Sequence, residues 1–293
     1  MLLEALQRLR VFTPLARYRY VGFGSTYFAD FTAVHRSLGI TKMISIEQDI
    51  EQRARFQFNR PFRTVKMIFG PSHSILPTLT WTIPSVVWLD YDGPLSSSIL
   101  ADVDWVCSAA PSGSAVIVTV NADPGPIDPK KPDTRIERLR KSIGAENVPN
   151  GITTDGHLGG WKLADVTRTV LDSAIRAAAR DRAASAKPAT YRQLFNFRYR
   201  DGARMATVGG LLLGERHRKE LPRCSFDDLD YVKTGADPYL ISVPFLTNRE
   251  VRWLDRQLPA TATGLKPGIL PDKDRKAYAE IYRFFPTFVD AEF

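Results

Sequence analysis

Residues 18–49, YRYVGFGSTYFADFTAVHRSLGITKMISIEQD, decide the fold of this chain. A short apolar run ends in the glycine turn GFGST at residues 22–26, an amphipathic helix follows, and a second strand ends on Glu47. In an open parallel sheet, this order places a backbone turn against one end of a ligand and a carboxylate beside a ribose-like diol. The stretch therefore predicts that an adenosine-containing cofactor binds at the edge of a parallel sheet.

The sequence up to residue 121 alternates short strand patterns with helix patterns. We predict strands at residues 19–22, 42–46, 64–69, 86–90 and 114–121, and helices at residues 27–38, 50–58, 72–79 and 95–109. Such alternation favours βαβ units and a parallel sheet. The strands are apolar with little polar alternation, as expected when helices cover both faces of the sheet.

The second half of the chain has a different texture. Residues 122–160 form a Pro/Gly-rich excursion with a short charged helix at 134–143, and a long helix is predicted at 161–184. Alternating residues at 191–213 surround the pair Asp201-Gly202, which is a strong hairpin signal. Helices are also predicted at 248–258 and 272–285.

These elements together predict an α/β fold. We expect a doubly wound, mostly parallel seven-stranded sheet that ends in an antiparallel hairpin, formed by residues 1–223. Residues 224–293 are expected to form a small, mainly helical C-terminal appendage.

The composition is that of a soluble globular protein, with 44% apolar and 25% charged residues. No apolar run reaches the roughly 18 residues of a membrane span, and the start MLLEALQRLR mixes acids and bases, unlike a secretion signal. Two cysteines, Cys107 and Cys224, make neither a disulfide framework nor a zinc motif. We therefore predict a cytoplasmic protein without a membrane segment or a structural metal.

The net charge of +8 makes this a basic protein, and the excess lies in one segment. Residues 176–223 contain twelve Lys/Arg and four Asp/Glu, whereas the rest of the chain has 28 of each sign. A localised basic face attracts phosphate-rich partners, but a solvated surface that keeps the protein soluble has the same composition. The arginines that could contact nucleic acid are Arg198, Arg200, Arg204, Arg216 and Arg218.

Aromatic residues interleave with two of these arginines. Phe195, Phe197 and Tyr199 alternate with Arg198 and Arg200, a pattern that can stack bases and hold phosphates. Alternation along a strand places the two residue types on opposite faces. We therefore expect the aromatics to pack in the core and the arginines to point outward.

Five parallel strands followed by an antiparallel hairpin resemble the layout of the class I, Rossmann-like methyltransferases that use S-adenosylmethionine. The resemblance covers roughly residues 15–213. It implies a glycine loop under the methionine part of the cofactor, an acid on the ribose hydroxyls, a turn near adenine and a polar strand end facing the methyl group. The matching residues are Gly22, Phe23, Gly24 and Ser25 for the loop, Glu47 and Gln48 for the ribose, Ser72 for the adenine turn, and Asp90 and Tyr91 for the strand end.

Elementary chemistry supports the same assignment. Glycines let the backbone approach a ligand, and the N–H groups that begin the next helix suit a carboxylate such as that of methionine. Both oxygens of a carboxylate can accept hydrogen bonds from a ribose diol.

The candidate catalytic residues are Asp90, Asp92 and His157. Methyl transfer needs alignment of the nucleophile with the methyl group, and a base if the nucleophile carries a proton. The two aspartates follow a parallel strand, where ligands bind in open sheets, although they could instead cap a helix that begins near Pro94. His157 lies in a Gly-rich stretch that could fold over the pocket.

Asn121 and Asp123, after the fifth strand, could join these aspartates around a divalent cation. An Asx turn in a Pro/Gly loop explains the same residues, and we predict no metal.

The predicted function is therefore S-adenosylmethionine-dependent methyl transfer to an oxygen or nitrogen nucleophile, with nucleic acid or another phosphorylated molecule as a candidate acceptor. Two alternatives stay open. Tyr20 stands where the family often has an acid, and a third glycine is missing, so an inactive partner protein fits as well. A dinucleotide-dependent oxidoreductase is the other alternative, and the hairpin argues against it.

Overall fold

A computed structural model describes residues 1–126, 134–182, 188–260, 264–266 and 268–285, with only the backbone of Asp201. The chain divides into two compact units, Met1–Tyr239 and Leu240–Phe293. No helix in the described ranges is long and apolar enough to cross a membrane.

The elements alternate between strands and helices through the first unit. The strands are β1 (Arg19–Gly22), β2 (Lys42–Glu47), β3 (Val65–Phe69), β4 (Ser85–Pro94), β5 (Ala115–Asn121), β6 (Thr190–Asp201), β7 (Ala203–Leu213) and β8 (Tyr239–Leu240). The α-helices are α1 (Leu2–Gln7), α2 (Ala29–Leu38), α3 (Arg53–Asn59), α4 (Ser72–Ile75), α5 (Ser97–Ala109), α6 (Thr134–Ile143), α7 (Lys162–Asp181), α8 (Glu215–Glu220), α9 (Asn248–Asp255) and α10 (Asp272–Ile281). Short 3₁₀ segments lie at Arg8–Val11, Leu15–Arg17, Leu76–Thr78, Ala145–Asn147, Asp155–Leu158, Leu221–Cys224, Phe226–Asp228 and Tyr282–Phe284.

The strands form one sheet in the order β3-β2-β1-β4-β5-β7-β6-β8. Neighbours among β1 to β5 are parallel, whereas β7 runs antiparallel to both β5 and β6. The predicted parallel sheet and terminal hairpin are therefore confirmed, with the turn at Gly202 (φ 67°). The sheet has eight strands instead of the predicted seven, because the two-residue strand β8 is too short to show a periodic pattern.

The central strands are buried because helices cover both faces of the sheet. All four residues of β1 and the first six of β5 are buried. Val87 of β4 and Val116 of β5 share one core with Val103 of α5 and Leu171 of α7. This cover leaves the carboxyl ends of the strands as the edge at which a ligand can reach the backbone.

Strand β4 continues four residues beyond its predicted end. Asp90 pairs with Thr119 and Pro94 with Asn121, so residues 91–93 bulge opposite a single residue of β5. The next helix begins at Ser97, not at residue 95 as predicted. The hydroxyl of Ser96 caps it by accepting a bond from the Ile99 N–H at 3.4 Å, which removes the helix-cap role considered for Asp90 and Asp92.

The excursion after β5 contains a packed helix from residue 134 onward. Helix α6 has the predicted bounds and buries Ile136, Leu139 and Ile143. The carboxylate of Asp155 accepts bonds from the N–H groups of Arg135 (2.8 Å) and Ile136 (2.9 Å). Asp155 thereby satisfies two first-turn amides of α6, which have no partner within the helix, and connects the end of the excursion to its middle.

The chain after Arg223 continues to pack on the sheet. The ring of Phe197 on β6 lies 6.3 Å from that of Tyr231 and 6.2 Å from that of Tyr239. The side-chain amide of Gln193 donates to the carbonyls of Lys233 (2.6 Å) and Gly235 (2.7 Å). Residues 224–239 therefore belong to the first unit. The sequence had predicted that the C-terminal appendage begins at residue 224.

The second unit is built around its own small core. Leu254, Leu265 and Tyr278 pack together, and the Tyr278 hydroxyl donates to Asp255 at 2.7 Å. Thr247 caps α9 in a reciprocal pair with Glu250.

Candidate active site

The glycine loop after β1 and the acid that ends β2 are joined directly. Gly22 lies opposite Ser45 in the parallel register of the two strands. The N–H of Gly24 donates to Oε1 of Glu47 at 2.9 Å and contacts the Ser45 hydroxyl at 3.1 Å, and that hydroxyl also donates to Glu47 Oε1. The second oxygen, Oε2 of Glu47, makes no hydrogen bond with any residue that the structure describes. Two of the residues predicted for cofactor binding therefore form one unit.

Two glycine positions of the loop leave no room for a side chain unless neighbouring side chains move. A Cβ on Gly24 would collide with the ring of Phe28 and lie 2.8 Å from the Ser45 hydroxyl. A Cβ on Gly22 would lie 2.8 Å from the Tyr20 hydroxyl. Ser25 (φ 51°) and Phe28 (φ 49°) both adopt left-handed conformations. This strained backbone is of the kind that clusters at ligand sites.

A carboxylate stands at the beginning of α2. The buried Tyr20 donates its hydroxyl to Oδ2 of Asp30, in the first turn of α2. Asp30 also accepts bonds from its own N–H and from that of Phe31. Burial raises the pKa of Asp30. The helix N-terminus, which the sequence suggested for a ligand carboxylate, is thus occupied by a carboxylate of the chain itself.

The charges around the loop have one sign. Burial raises the pKa of Glu47, and the negative charge of Asp30 adds to this rise. Burial also raises the pKa of Tyr20 well above its usual value, with further contributions from Asp30 and from Asp90 at the end of β4. Three carboxylates therefore surround the glycine loop. Such a site favours a positively charged ligand group and disfavours a phosphate.

Near the end of β4, two aspartates are exposed to solvent and the tyrosine between them is half-buried. Asp90 and Asp92 are exposed, whereas Tyr91 is half-buried. The Tyr91 ring packs edge-on against that of Phe23, with 5.0 Å between centroids. The aspartates therefore remain at the open edge of the sheet, beside the glycine loop.

Asp102, a buried residue of α5, was not among the site residues predicted from the sequence. Its Oδ2 accepts hydrogen bonds from the hydroxyls of Tyr91 (2.7 Å) and Ser72. Ser72 and Tyr91, both predicted to contact the cofactor, thus direct their hydroxyls to a residue of the chain. An acid among the buried residues Ile99 and Val103 of an amphipathic helix was the signal that could have revealed it.

The remaining predicted residues lie outside this network. Gln48 is exposed beside Glu47. His157 is exposed, and its Nδ1 accepts from the N–H groups of Thr153 (3.2 Å) and Thr154 (3.4 Å). The imidazole thus caps its own 3₁₀ turn, a role within the excursion.

The loop after β5 supports the Asx-turn interpretation. Oδ1 of Asn121 accepts from the Asp123 N–H at 2.8 Å, and Oδ1 of Asp123 accepts from the Gly125 N–H at 3.2 Å. The other oxygen of Asp123 pairs with Arg204 at 3.3 Å. Within the described residues, no group of three or more His, Cys, Asp or Glu side chains could hold a metal ion.

The arginines of the basic segment are dispersed. The expectation that hairpin arginines point outward is wrong for Arg198, which is 8% exposed and paired with Asp165, because α7 covers this face of the sheet. Arg204 and Arg216 are also in ion pairs, whereas Arg200 and Arg218 are exposed. The aromatic residues Phe195 and Phe197 are buried as expected.

A cavity of about 480 Å³ lies at the opposite edge of the sheet. It is lined by Phe12, Arg17, Pro84 and His217, among others, and Pro84 directly precedes β4. The cavity therefore lies at the amino end of β4, whereas the glycine loop and Asp90 lie toward the carboxyl ends of the strands.

A family model described as "Putative O-methyltransferase" matches residues 1–293. No curated protein matches the sequence.

Several solved structures are similar at low identity. Human N-acetylserotonin methyltransferase, in complex with S-adenosylmethionine, is 9% identical over 72% of this chain and 52% of its own (TM-score 0.36). An O-methyltransferase family protein from Burkholderia thailandensis is 11% identical over 73% and 56% (TM-score 0.36). TomG from Streptomyces achromogenes, also in complex with S-adenosylmethionine, is 14% identical over 72% and 79% (TM-score 0.38). The chain spans about half the length of the first two.

Proposed function

Since the chain belongs to the family described as "Putative O-methyltransferase", we propose that it transfers a methyl group from S-adenosylmethionine to an oxygen nucleophile. The observation that carries this proposal is the 2.9 Å hydrogen bond between the Gly24 N–H and Glu47 Oε1. It joins the glycine loop to the acid at the end of β2, at the edge where open parallel sheets bind ligands.

Glu47 is the proposed ribose ligand. Its Oε1 is engaged by Gly24 and Ser45, and its Oε2 has no partner among the described residues. A carboxylate oxygen in this position can accept from the ribose hydroxyls while the other oxygen holds the loop. The loop itself is the proposed site of the methionine part of the cofactor, and a Cβ on Gly24 would have to displace the Phe28 ring there.

The sign of the charge supports S-adenosylmethionine over a dinucleotide. S-Adenosylmethionine carries a sulfonium and an ammonium beside one carboxylate, so its net charge is positive, and its two cations are attracted by Asp30, Glu47 and Asp90. A dinucleotide carries a pyrophosphate, which binds at the N-terminus of the helix after the glycine loop. In this chain the carboxylate of Asp30 already occupies the first amides of α2 and would repel a phosphate.

Tyr20 and Asp30 together compensate for the absence of an acid at position 20. Tyr20 is buried and holds Asp30 through its hydroxyl. Helix α2 thus places a carboxylate near the turn, although strand β1 has none at position 20. This arrangement supports a functional cofactor pocket over an inactive one.

The proposed chemistry takes place at the end of β4. S-Adenosylmethionine supplies an electrophilic methyl group, and the acceptor oxygen attacks its carbon as the carbon–sulfur bond breaks. Asp92 is the proposed base that takes the proton from the acceptor hydroxyl, and Asp90 orients the acceptor. The methylated oxygen and a neutral thioether are the products.

The proposed acceptor is a small molecule with a hydroxyl on an apolar frame. Tyr27 is 83% exposed in the glycine loop, and Ile50 is 57% exposed after β2. These side chains offer apolar surface close to the proposed cofactor. The dispersed arginines, with Arg198 buried, give less support to nucleic acid.

Calorimetry with S-adenosylmethionine, S-adenosylhomocysteine and NAD tests the cofactor. We expect micromolar binding of the first two, and failure of the wild type to bind either would overturn the proposal. Tighter binding of NAD would favour an oxidoreductase. Incubation with methyl-labelled cofactor and a panel of hydroxylated aromatic and aliphatic compounds tests turnover, and binding without transfer to any compound would support the inactive alternative.

A further inference from the structure

Asp102 occupies an unusual environment for a carboxylate. It is 3% exposed and lies on the buried side of α5, where Ile99, Val103 and Val106 join the main core. Its hydrogen-bond partners are neutral hydroxyls, those of Ser72 and Tyr91. Across the described residues, no Arg, Lys or His forms an ion pair with it.

Burying such a group is expensive for the fold. A carboxylate loses most of its hydration in the core, and two hydroxyl donors compensate this loss only in part. An apolar or amide side chain at position 102 would serve packing at a lower cost. A buried carboxylate that forms no ion pair with any described residue is a candidate for a functional role.

One donor follows β3 and the other lies in β4, and these two strands flank β2 and β1 in the sheet. Ser72 is the first residue of α4, directly after the turn that follows β3. Tyr91 lies in the bulge of β4 between the two proposed catalytic aspartates. The ring of Tyr91 also contacts that of Phe23 in the glycine loop. Through these contacts, Asp102 connects three of the loops at the carboxyl edge of the sheet.

The side chain of Tyr91 points into the protein between two exposed neighbours. Its hydroxyl donates to Asp102 at 2.7 Å, whereas Asp90 and Asp92 on either side are exposed at the open edge. Burial and the charge of Asp102 raise the pKa of Tyr91, so its hydroxyl remains a neutral donor.

We propose that Asp102 is a positioning residue, which couples the adenine-side turn at Ser72 to the catalytic bulge at Tyr91. The inference rests on the proposed function of this edge as the cofactor and methyl-transfer site. Asp102 acts from beneath the site through the two hydroxyls, so its removal should loosen both loops together.

The variant Asp102→Asn tests this role because it keeps the shape and removes the charge. The matched control is Asp104→Asn, an exposed aspartate two positions further along the same helix. We expect Asp102→Asn to bind S-adenosylhomocysteine at least about tenfold more weakly than the wild type, since bonds to a charged acceptor are the stronger ones. Its melting temperature should stay within about 4 °C of the wild type or rise. Asp104→Asn should match the wild type in both measurements.

A double-mutant cycle separates positioning from general stability. Ser72→Ala and Tyr91→Phe should each weaken binding by about fivefold in the wild type and should have little further effect in Asp102→Asn. The inference would be overturned if the double variants lost as much affinity as the product of the two single losses, or if Asp102→Asn bound with wild-type affinity. If Asp102→Asn does not fold, wild-type affinity in both Ser72→Ala and Tyr91→Phe would overturn the inference instead. Failure of the wild type to bind S-adenosylhomocysteine would instead overturn the proposed function.

Discussion

The N–H of Gly24 donates a hydrogen bond of 2.9 Å to Oε1 of Glu47, although the two residues are 23 positions apart. The parallel pairing of β1 and β2 brings them together at the carboxyl edge of the sheet. The bond makes the glycine loop and the acid one structural unit. A ligand that binds Oε2 of Glu47 therefore also depends on the conformation of the loop.

Replacing Glu47 by Gln should weaken binding of S-adenosylhomocysteine by about 10- to 100-fold. Hydrogen bonds to a charged group contribute about 1.5–3 kcal/mol, and each 1.4 kcal/mol is about a factor of ten. Calorimetry measures the change. Asp49→Asn is the control, because Asp49 is exposed and caps a surface turn through the Glu51 N–H at 3.1 Å. Equal affinity in Glu47→Gln and the wild type would remove Glu47 from the site.

Asp30 should make the protein prefer ligands that carry the ammonium group of the cofactor over ligands that lack it. The wild type should bind S-adenosylhomocysteine at least about tenfold more tightly than its desamino analogue, which lacks this cation. In Asp30→Asn the preference should fall to about twofold or less. Tyr20→Phe, which removes the hydroxyl that holds Asp30, should give an intermediate preference. An unchanged preference in Asp30→Asn would contradict the role.

Cofactor affinity should rise with pH. Burial raises the pKa of Glu47 and of Asp30 above their usual values of about 4. Protonation at low pH removes the charges that attract the cationic cofactor, so binding is lost as pH falls through the raised pKa values. Calorimetry between pH 5 and pH 8 should show this rise, and the double variant Asp30→Asn/Glu47→Gln should show a flatter profile.

The same shifts have the opposite sign for the stability of the ligand-free protein. A carboxyl whose pKa is raised on folding binds its proton more tightly in the folded state, so stability falls as pH rises from the unfolded pKa through the folded one. The melting temperature of the double variant should therefore exceed that of the wild type, and the difference should be largest at neutral pH. A gap that closes as pH rises would contradict the sign.

Asp92→Asn should reduce turnover while preserving the cofactor site. A positioned base contributes about 100- to 10,000-fold to the rate, whereas the exposed Asp92 is not part of the Gly24–Glu47 unit. Single-turnover transfer from methyl-labelled cofactor gives the rate, and calorimetry gives the affinity, which should change by less than about threefold. An undiminished transfer rate would exclude Asp92 as the base.

Arg198→Ala should destabilise the protein, whereas Arg218→Ala should not. Arg198 is 8% exposed and paired with Asp165, so its loss removes packing and an ion pair, at a cost of about 1–3 kcal/mol. Arg218 is exposed on α8. Urea unfolding measures both. Binding of a random oligonucleotide with a strong salt dependence that Arg218→Ala reduces would restore nucleic acid as a partner.

The sequence by itself was enough to determine the alternation of strands and helices, the hairpin at Asp201-Gly202 and the approximate bounds of most elements. These features depend on local patterns of apolar residues and on turn chemistry, which are visible along the chain. It also predicted that Gly24 and Glu47 lie close together, because parallel strands end at one edge of a sheet.

Only the tertiary structure decided which polar side chains meet. The bond from Tyr20 to Asp30, the burial of Arg198 under α7 and the links from Asp102 to Ser72 and Tyr91 join residues by packing. The extension of β4 to Pro94 depends likewise on its pairing with β5. A pattern of residue types reports the environment of each position, whereas a hydrogen bond between distant residues depends on the distance and angle that the whole fold imposes.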